Sequence, residues 1–543
     1  MLMDVFDPVP PKTAEAYEQM LARRSRPRVA GARKATSPNQ AGRPYPFCVI
    51  QGAARIPLPP TMTSNELRIG QRPEATDAAR SKRISVSEVS DLLLLSSGIL
   101  KRKLSITWNK TSRPHARYSR LQFSRGVPSG GGLYPCCTYL IALTAHVLRP
   151  GVYHYDAVRH GLDRIRVGQY CSHLEAILDC EVRNQFDFFF VLASRFERSA
   201  FKYGHFAYKV IMQDVGALLG GMEQIAFCLN WNTTVFYSFT DRLMANLLGL
   251  DERFEAPFVV LGVRSAQGAG IAPAVPESGT PGAQLLTAFE HRERTHNVGS
   301  LGFILDIHRS TMIQQGDQRA RTATLTPPRT LEEKLRPISG RYLVPALLSR
   351  ETAWGQITDR LPDLSLEKLL AVIVFACSAG AYATDFCGRA GQLPLLRAEV
   401  LVRRVTGLPP GLYRYDSVSA ELVDHRGPSY EQILRKSFPR HHDIDHVPVV
   451  VLLVGKLREV VDTFGQRGIR AMNAEAGIFA QRAYLACAAS SLGCGAVLGF
   501  DASVVAAALK LDWRTEVPLL AILMGPRKPR AVAFDFQLPL LRS

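Results

Sequence analysis

The sequence predicts an α+β protein built from two similar domains in tandem. An internal repeat is the first observation that predicts this. Residues 150–165 read PGVYHYDAVRHGLDRI and residues 410–425 read PGLYRYDSVSAELVDH, at an offset of 260 residues. A second match aligns 203–239 with 464–500 at an offset of 261. Agreement at nearly one spacing over about a hundred residues indicates duplicated domains rather than a short-period solenoid.

The second observation is that both copies show the same order of helical and strand patterns. Apolar helical patterns cover 85–99 and 365–380. Each is followed by an apolar strand, a hairpin around Tyr-x-Tyr-Asp, a second strand, a long helix and a final strand. We expect Lys202 and Tyr203 to lie at the start of the long helix in the first copy. This order predicts layers of helices packed on sheets.

Composition marks the segments outside the two copies. Residues 1–60 are polar and basic, and we interpret them as an N-terminal extension. Residues 265–335 are rich in Pro, Gly and Thr, which is typical of a linker. The predicted domains are therefore 61–264 and 336–543.

The bulk properties restrict the class of protein. The chain has 543 residues, of which 46% are apolar, so it can bury large cores. No secretory signal pattern opens it, and the uncharged apolar run 369–384 is shorter than the ~20 residues of a membrane-spanning helix. We expect a cytoplasmic protein without a membrane partner. The net charge of +18 is scattered and lacks interleaved aromatic residues, so we do not expect a nucleic-acid partner.

The cysteines and histidines predict no metal site. Ten cysteines occur without a C-x-x-C pair, which gives neither a zinc pattern nor a disulfide framework. Residues 440–446, RHHDIDH, hold three histidines but have no counterpart in the first copy. We interpret this segment as a solvated loop.

Two motifs carry a resemblance to a known family. Residues 124–143, SRGVPSGGGLYPCCTYLIAL, contain a Pro-Ser-x-Gly-x-Leu-Tyr-Pro loop, and Lys202 and Tyr203 form a Lys-Tyr pair downstream. Together they resemble the nitroreductase-like flavoproteins, specifically the SagB/McbC-type azoline dehydrogenases of thiazole/oxazole-modified peptide biosynthesis. The resemblance covers most of 60–264 and 336–527. It implies an FMN-dependent enzyme with each flavin in a cleft between two subunits.

Differences between the copies predict one working cleft in an intramolecular pseudo-dimer. The second copy lacks about 22 residues at the position of the Pro-Ser loop and has Thr463 and Phe464 in place of the Lys-Tyr pair. It keeps a glycine-rich stretch at 491–500 that the first copy lacks. The resemblance therefore implies that unit one supplies Pro128, Ser129, Gly130, Gly131, Gly132, Leu133, Tyr134, Lys202 and Tyr203, and unit two supplies Arg350, Thr352, Gly499 and Arg527. The other cleft, with Arg80, Ser81 and Arg83, is expected to be empty or inactive.

The implied reaction oxidises a thiazoline or oxazoline to a thiazole or oxazole, with removal of a proton and a hydride. Tyr203 is the candidate base or proton relay, because a neighbouring cation such as Lys202 can favour its phenolate. Lys202 is otherwise a contact to flavin or substrate. The resemblance suggests dioxygen as the oxidant of the reduced flavin, and no Gly-x-Gly-x-x-Gly dinucleotide motif follows a strand. It also implies a precursor peptide and cyclodehydratase partners of the YcaO and activating-enzyme-like types.

Two alternatives stay open at this point. The first is another flavin oxidoreductase, a nitroreductase or ene-reductase-like enzyme acting on a small molecule or a carrier-bound peptide. The second is a flavin-free scaffold that docks a precursor peptide or a cyclodehydratase. The sequence also leaves open a further homodimer.

Overall fold

The computed structural model describes the chain in segments separated by gaps. These are residues 11–24, 44–45, 47–59, 66–72, 83–107, 117–118, 122–265, 299–317, 338, 340–358, 364–377, 383–386, 395–425, 430–439, 442–528 and 533–537. Most of the predicted linker, together with Arg80, Ser81 and His441, lies outside them.

Thirteen helices are described. They are α1 (Ala14–Ala22), α2 (Val86–Ser97), α3 (Cys171–Leu178), α4 (Phe196–Tyr203), α5 (Ala207–Cys228), α6 (Asp241–Leu248), α7 (Leu301–Ser310), α8 (Leu343–Ser349), α9 (Leu366–Cys377), α10 (Tyr430–Ser437), α11 (Leu457–Phe464), α12 (Gly468–Ala489) and α13 (Ala502–Ala508). None of these helices is long and apolar enough to cross a membrane.

Eighteen strands are described. They are β1 (Ala54–Pro57), β2 (Lys101–Thr107), β3 (Arg117–Tyr118), β4 (Gln122–Ser124), β5 (Cys136–Ala142), β6 (Gly151–Asp156), β7 (Gly161–Val167), β8 (Phe188–Arg195), β9 (Asn232–Phe236), β10 (Glu255–Arg264), β11 (Ala383–Thr384), β12 (Leu396–Val402), β13 (Gly411–Asp416), β14 (Glu421–Asp424), β15 (Val449–Gly455), β16 (Leu492–Val497), β17 (Val517–Pro526) and β18 (Ala533–Gln537).

The two large sheets share one strand order, and the α+β fold class is confirmed. The first sheet runs β1-β7-β6-β5-β8-β10-β9-β11, and the second runs β14-β13-β12-β15-β17-β16. Without its edge strands β1 and β11, the first sheet has the same six-strand order as the second. A smaller sheet joins β18, β2 and β3, with β4 also paired to β2. We call the copy with β5–β10 unit one and the copy with β12–β17 unit two.

The units meet along α5 and α12, which cross about a local twofold. A Cβ added to Gly216 would lie 2.0 Å from the carbonyl oxygen of Ala474, and one added to Gly477 would lie 2.1 Å from that of Gln213. Both pairs of partners differ by 261 residues, so the same contact is made twice with the roles exchanged. Such reciprocity is the property of a twofold interface. One apolar core runs through both units here, and smaller cores cover the outer faces of the two large sheets.

The structure corrects the predicted position of Lys202 and Tyr203. They end the short helix α4 rather than begin the long helix α5. Gly204 interrupts the helical path with a φ of 55°, a value that favours glycine, and a 3-10 turn over Gly204–Phe206 leads into α5. The break holds both side chains at a helix end next to the interface between the units.

Helix α1, in the predicted N-terminal extension, is built into that interface. Helix α1 places Glu18, which is fully buried, 2.8 Å from the Lys209 ammonium of α5. Asn473 of α12 donates a 2.9 Å hydrogen bond to the other carboxylate oxygen of Glu18. Helix α1 therefore links both units through one buried polar cluster. The domain boundaries drawn from composition remain predictions.

Candidate active site

A cleft with about 1100 Å³ of empty space lies between the two units. Unit one contributes the loop before β5, the end of α4 and part of α5, and unit two contributes α12, the end of β16 and the segment after α8. The lining residues are Arg24, Pro128, Ser129, Gly130, Gly131, Lys202, Tyr203, Phe206, Gln213, Asp214, Ala217, Thr352, Trp354, His442, Gly477, Ala480, Tyr484, Ala496, Val497, Leu498, Gly499 and Leu520. Residues predicted from both units therefore meet in one cleft.

The Pro-Ser-Gly loop is held in a fixed turn by Ser129. Its hydroxyl accepts a 2.9 Å hydrogen bond from the Tyr134 amide and donates a 2.6 Å bond to Asp214 Oδ2. The Gly130 amide donates to Asp214 Oδ1 at 2.8 Å. These bonds fix the face of the turn that Gly130 and Gly131 present to the cleft.

Three residues of the predicted loop do not line the cleft. Gly132, Leu133 and Tyr134 are absent from its described lining. The Arg125 guanidinium lies 4.7 Å from the centre of the Tyr134 ring. Their assignment to flavin binding remains a prediction.

Asp214 is the residue that the sequence reasoning missed. It lies in α5 and is 7% exposed. Burial raises the pKa of this carboxyl to about 7, although the bonds from Ser129 and Gly130 act in the opposite direction. The available signal in the sequence was a single carboxylate within the apolar run YKVIMQDVGALLGG. At offset 261 its counterpart is Glu475, another acid within an apolar helix.

Lys202 and Tyr203 converge on Gly131. A Cβ added to Gly131 would lie 2.4 Å from Lys202 Nζ and 2.8 Å from Tyr203 Oη. The Lys202 ammonium is also 5.3 Å from the centre of the Tyr203 ring. The two side chains therefore meet at the loop even though neighbouring helical residues point in different directions. Gly131 has a φ of 63°, and no other residue type provides both this backbone and the required space.

The surroundings of Tyr203 favour its neutral form over the phenolate. Burial and the negative charge of Asp214 raise the pKa of Tyr203 above its ordinary value. Lys202 is exposed, so water weakens its effect on the phenol. At neutral pH Tyr203 is therefore a neutral hydroxyl, suited to donating or relaying a proton.

Unit two forms the opposite wall around Tyr484. The Tyr484 hydroxyl accepts a 2.8 Å hydrogen bond from the Ala496 amide and lies 3.1 Å from Thr352 Oγ1. This contact joins the segment after α8 to the end of β16, where Gly499 follows. Thr352 and Gly499 both line the cleft, as the sequence predicted.

Two further polar side chains enter the cleft wall. The Gln213 amide nitrogen donates to Asn473 and to the Leu519 carbonyl, while its oxygen has no hydrogen-bond partner among the described residues. Arg24, just after α1, donates to the carbonyls of Leu498 and Phe500 at 3.3 and 3.2 Å. The wall thus offers a buried acceptor and a cation held beside Gly499.

The two predicted phosphate-binding arginines have other partners. Arg350 is 5% exposed and donates to the carbonyls of Gly126, Arg125 and Val127 at 3.0, 2.9 and 3.3 Å. Arg527 forms an ion pair with Glu351. Neither arginine is in the described lining. Arg350 supports the chain just before Pro128, and Arg527 pairs with the Glu351 carboxylate, so their assignment to flavin binding remains a prediction.

The symmetry-related position is covered by the chain itself. Strand β11 of unit two pairs with β9 of unit one, and Asp385 accepts 2.8 Å hydrogen bonds from the amides of Tyr237 and Ser238. The next residue, Phe386, stacks on Phe464 with ring centres 4.4 Å apart and planes 13° apart.

This cover lies on the counterpart of the cleft wall. At offset 261, Tyr237 and Ser238 correspond to Leu498 and Gly499, which line the first cleft. Arg83, predicted for this second site, is exposed, while Arg80 and Ser81 are outside the described residues. That the second cleft is empty or inactive remains a prediction.

The first cleft has the donors and space that a flavin mononucleotide requires. Gly130 and Gly131 offer backbone without side chains, and the Gln213 oxygen is a buried acceptor for a ring N–H. The apolar wall includes Val497 and Leu520. Positive charge for an anionic tail comes from Arg24 and Lys202. These residues fit a flat conjugated ring with a phosphate.

Comparisons with known proteins agree with this fold. Residues 359–526 match the family model described as the Nitroreductase family. A crystal structure of a protein from Anabaena variabilis matches with a TM-score of 0.67 at 21% identity, covering 95% of this chain and 100% of that chain. That likeness shows the fold across both units.

Two curated relatives match part of the chain. The microcin B17-processing protein McbC of Escherichia coli is 27% identical over 25% of this chain and 52% of its own length. The trifolitoxin-processing protein TfxB of Rhizobium leguminosarum bv. trifolii is 26% identical over 30% of this chain and 45% of its own length. The chain spans about half the length of these relatives.

Proposed function

Starting from a chain that carries a nitroreductase-family domain at 359–526, we propose that the protein is an FMN-dependent dehydrogenase that oxidises azoline rings in a ribosomally made peptide. The observation that carries the proposal is the convergence of Lys202 and Tyr203 on Gly131 inside a cleft walled by both units. The relatives named as processing proteins of microcin B17 and trifolitoxin support a peptide substrate. The product is a thiazole or oxazole.

The chain's own residues would hold the cofactor between the two units. Gly130 and Gly131 would offer backbone groups to the ring, and Gln213 Oε1 would accept a hydrogen bond from it. Gly499 allows close approach from unit two, and Thr352 adds a hydroxyl. A bound flavin supplies an acceptor for the two electrons that leave the substrate as hydride.

Tyr203 and Asp214 handle the proton that leaves the substrate carbon. A Cβ added to Gly130 would lie 3.7 Å from Tyr203 Oη and 3.6 Å from Asp214 Oδ1, so the two groups flank the same glycine. Tyr203 relays the proton as a neutral phenol. Asp214, with a pKa of about 7, is ionised often enough near neutral pH to receive it. Lys202, exposed at the mouth, attracts negative charge as it develops.

The substrate enters as a modified precursor peptide made by a cyclodehydratase of the YcaO and activating-enzyme-like types. The open cleft admits a chain segment because Lys202 and Gly131 stand exposed at its edge. Dioxygen is the proposed final electron acceptor.

The direct test is oxidation of a synthetic thiazoline peptide by the FMN-loaded protein, followed by mass spectrometry for loss of two hydrogens. Tyr203→Phe should lower kcat about 10²–10⁴-fold while keeping bound flavin. Tyr342→Phe, an exposed tyrosine outside the cleft, is the matched control and should not change kcat. Unchanged turnover in Tyr203→Phe contradicts the assigned role.

Two further measurements distinguish the azoline dehydrogenase from the alternative functions. Consumption of NAD(P)H with a nitroaromatic or quinone, without azoline oxidation, favours another flavin oxidoreductase. Protein that holds no flavin and takes none up favours the docking scaffold.

A further inference from the structure

A buried cluster of two thiols and an imidazole lies outside the candidate active site. The Sγ atoms of Cys48 and Cys137 and a ring nitrogen of His154 all lie within 4.8 Å of one another. All three residues are buried. Cys48 comes from the N-terminal segment, Cys137 from β5 and His154 from β6.

Sheet register explains why these residues meet. His154 pairs with Tyr139 across β5 and β6, and Cys137 precedes Tyr139 by two residues on the same strand. Residues two apart on a strand share a face, so Cys137 and His154 are diagonal neighbours. Cys48 packs onto this face in the same apolar cluster as Cys137. The sequence could not show the cluster, because its members are far apart in the chain and lack a recognised spacing.

His154 has the surroundings of a metal ligand. It is 1% exposed, and neither ring nitrogen has a hydrogen-bond partner among the described residues. Asp163 lies directly opposite on β7, with Oδ2 3.7 Å from His154 Nδ1. Arg55 holds the other oxygen of Asp163 at 2.6 Å. A carboxylate behind the imidazole is the usual arrangement around a metal-bound histidine.

Arginine side chains lie close to the cluster, and Arg125 and Arg198 line the adjoining cavity. Arg195 is 3.7 Å from Cys48 Sγ and also lies within 3.7 Å of carboxylates of Glu197 and Glu255, which offset its charge. The two negative charges of the thiolates would neutralise a divalent ion.

We propose that Cys48, Cys137 and His154 bind one zinc ion that fastens the N-terminal segment to the sheet of unit one. Two thiolates and one imidazole suit zinc. A fourth position opens on a small cavity lined in part by Ser97 and Thr138, where a water molecule would complete the coordination. Binding releases the two thiol protons, and no redox step is involved.

The experiment measures zinc in the purified full chain by elemental analysis, and again after treatment with a chelator and titration with Zn²⁺. We expect about one zinc per chain in the wild type. Cys48→Ser, Cys137→Ser and His154→Gln should each lower zinc content at least tenfold. Asp163→Asn should weaken zinc affinity about 10–100-fold. Cys136→Ser is the matched control, a buried neighbouring thiol outside the cluster, and should keep the metal.

One further measurement uses the wild-type protein, so it does not depend on whether the variants fold. Blocking thiols with a mercurial should release one zinc ion per chain. No zinc in the wild type, with none taken up on titration, overturns the proposal. A disulfide would overturn it as well. In that case, denatured wild-type protein would show two fewer free thiols before reduction than after it. In Cys137→Ser the two counts would be equal.

Discussion

Ser129 donates a 2.6 Å hydrogen bond to Asp214, and this contact ties the cleft loop to the long helix of the unit interface. The same carboxylate accepts from the Gly130 amide. The loop that presents Gly131 to Lys202 and Tyr203 is therefore positioned by a residue that the family motif does not include. Asp214 thus shapes the cleft and, in the proposed reaction, also receives a proton.

The raised pKa of Asp214 makes stability depend on pH. Its folded-state pKa of about 7 exceeds the value of about 3.9 in an unfolded chain. Between these values the folded state binds more protons, so the free energy of unfolding falls as the pH rises from about 4 to about 7. Asp214→Asn removes this contribution. Urea unfolding across this range should show the wild type losing stability relative to the variant.

Asp251→Asn provides a control of opposite sign, because Arg253 lowers the pKa of Asp251. Its contribution is present above the unfolded pKa and is lost as the pH falls through the folded pKa. A difference between wild type and Asp214→Asn that stays constant from about pH 4 to 7 would contradict the assignment.

Gly131→Ala should disrupt the meeting point of Lys202 and Tyr203. The added methyl would lie 2.4 Å from the ammonium and 2.8 Å from the phenol oxygen, and both groups would have to move. We expect turnover to fall at least about tenfold and stability to fall by about 1–3 kcal/mol.

Gly132→Ala is the matched control for this change. Gly132 has a similar φ of 66°, but no atom lies within 4 Å of its added methyl. Its left-handed backbone should lower the free energy of unfolding by about 1–2 kcal/mol, while kcat stays near normal. Equal loss of turnover in the two variants would show that backbone strain, rather than the convergence, governs activity.

Lys209→Met should destabilise the interface that α1 forms. Burial lowers the pKa of Lys209, while the Glu18 carboxylate raises it, and the methionine would leave Glu18 buried without this partner. We expect a loss of about 3–5 kcal/mol in the free energy of unfolding, measured in urea. The double variant Glu18→Gln/Lys209→Met should lose less. A single-variant loss under about 1 kcal/mol would mean that α1 is not fixed by this pair.

The Phe386→Ala variant should show which of the two symmetry-related clefts holds the cofactor. Phe386 is 4% exposed and stacked on Phe464, so its truncation should lower the free energy of unfolding by about 3–5 kcal/mol. Because these rings lie away from the first cleft, flavin content and azoline oxidation should stay unchanged in protein that remains folded. Loss of flavin would place a cofactor in the covered cleft.

The repeat in the sequence predicted the fold in some detail. The offset of 261 residues placed Gly216 on Gly477, and the structure puts both at the crossing of α5 and α12. The period-2 and helical patterns gave the order of the main strands and helices. Strands β9 and β16 were not assigned, because the polar run NWNTT and the glycines of SLGCG hide their strand character.

The candidate site was only partly accessible from sequence. The motif located the loop, Lys202, Tyr203, Thr352 and Gly499, all of which line one cleft apart from the outer end of the loop. Arg350 was predicted as a phosphate ligand because it lies at a helix end. An arginine at that position can equally donate to backbone carbonyls. Its three carbonyl partners depend on tertiary contacts about 224 residues away in the chain. Arg24 and Asp214 were missed for the same reason.

The measurement that tests the central claim most directly is the number of flavins per chain. The protein is purified, the chromophore is released and identified, and its amount is divided by the protein concentration. One FMN per chain, unchanged after incubation with excess FMN, is the predicted result for a single cleft made by both units. Two per chain would contradict the covered second cleft, and none, with no uptake, would contradict the assignment of a flavin enzyme.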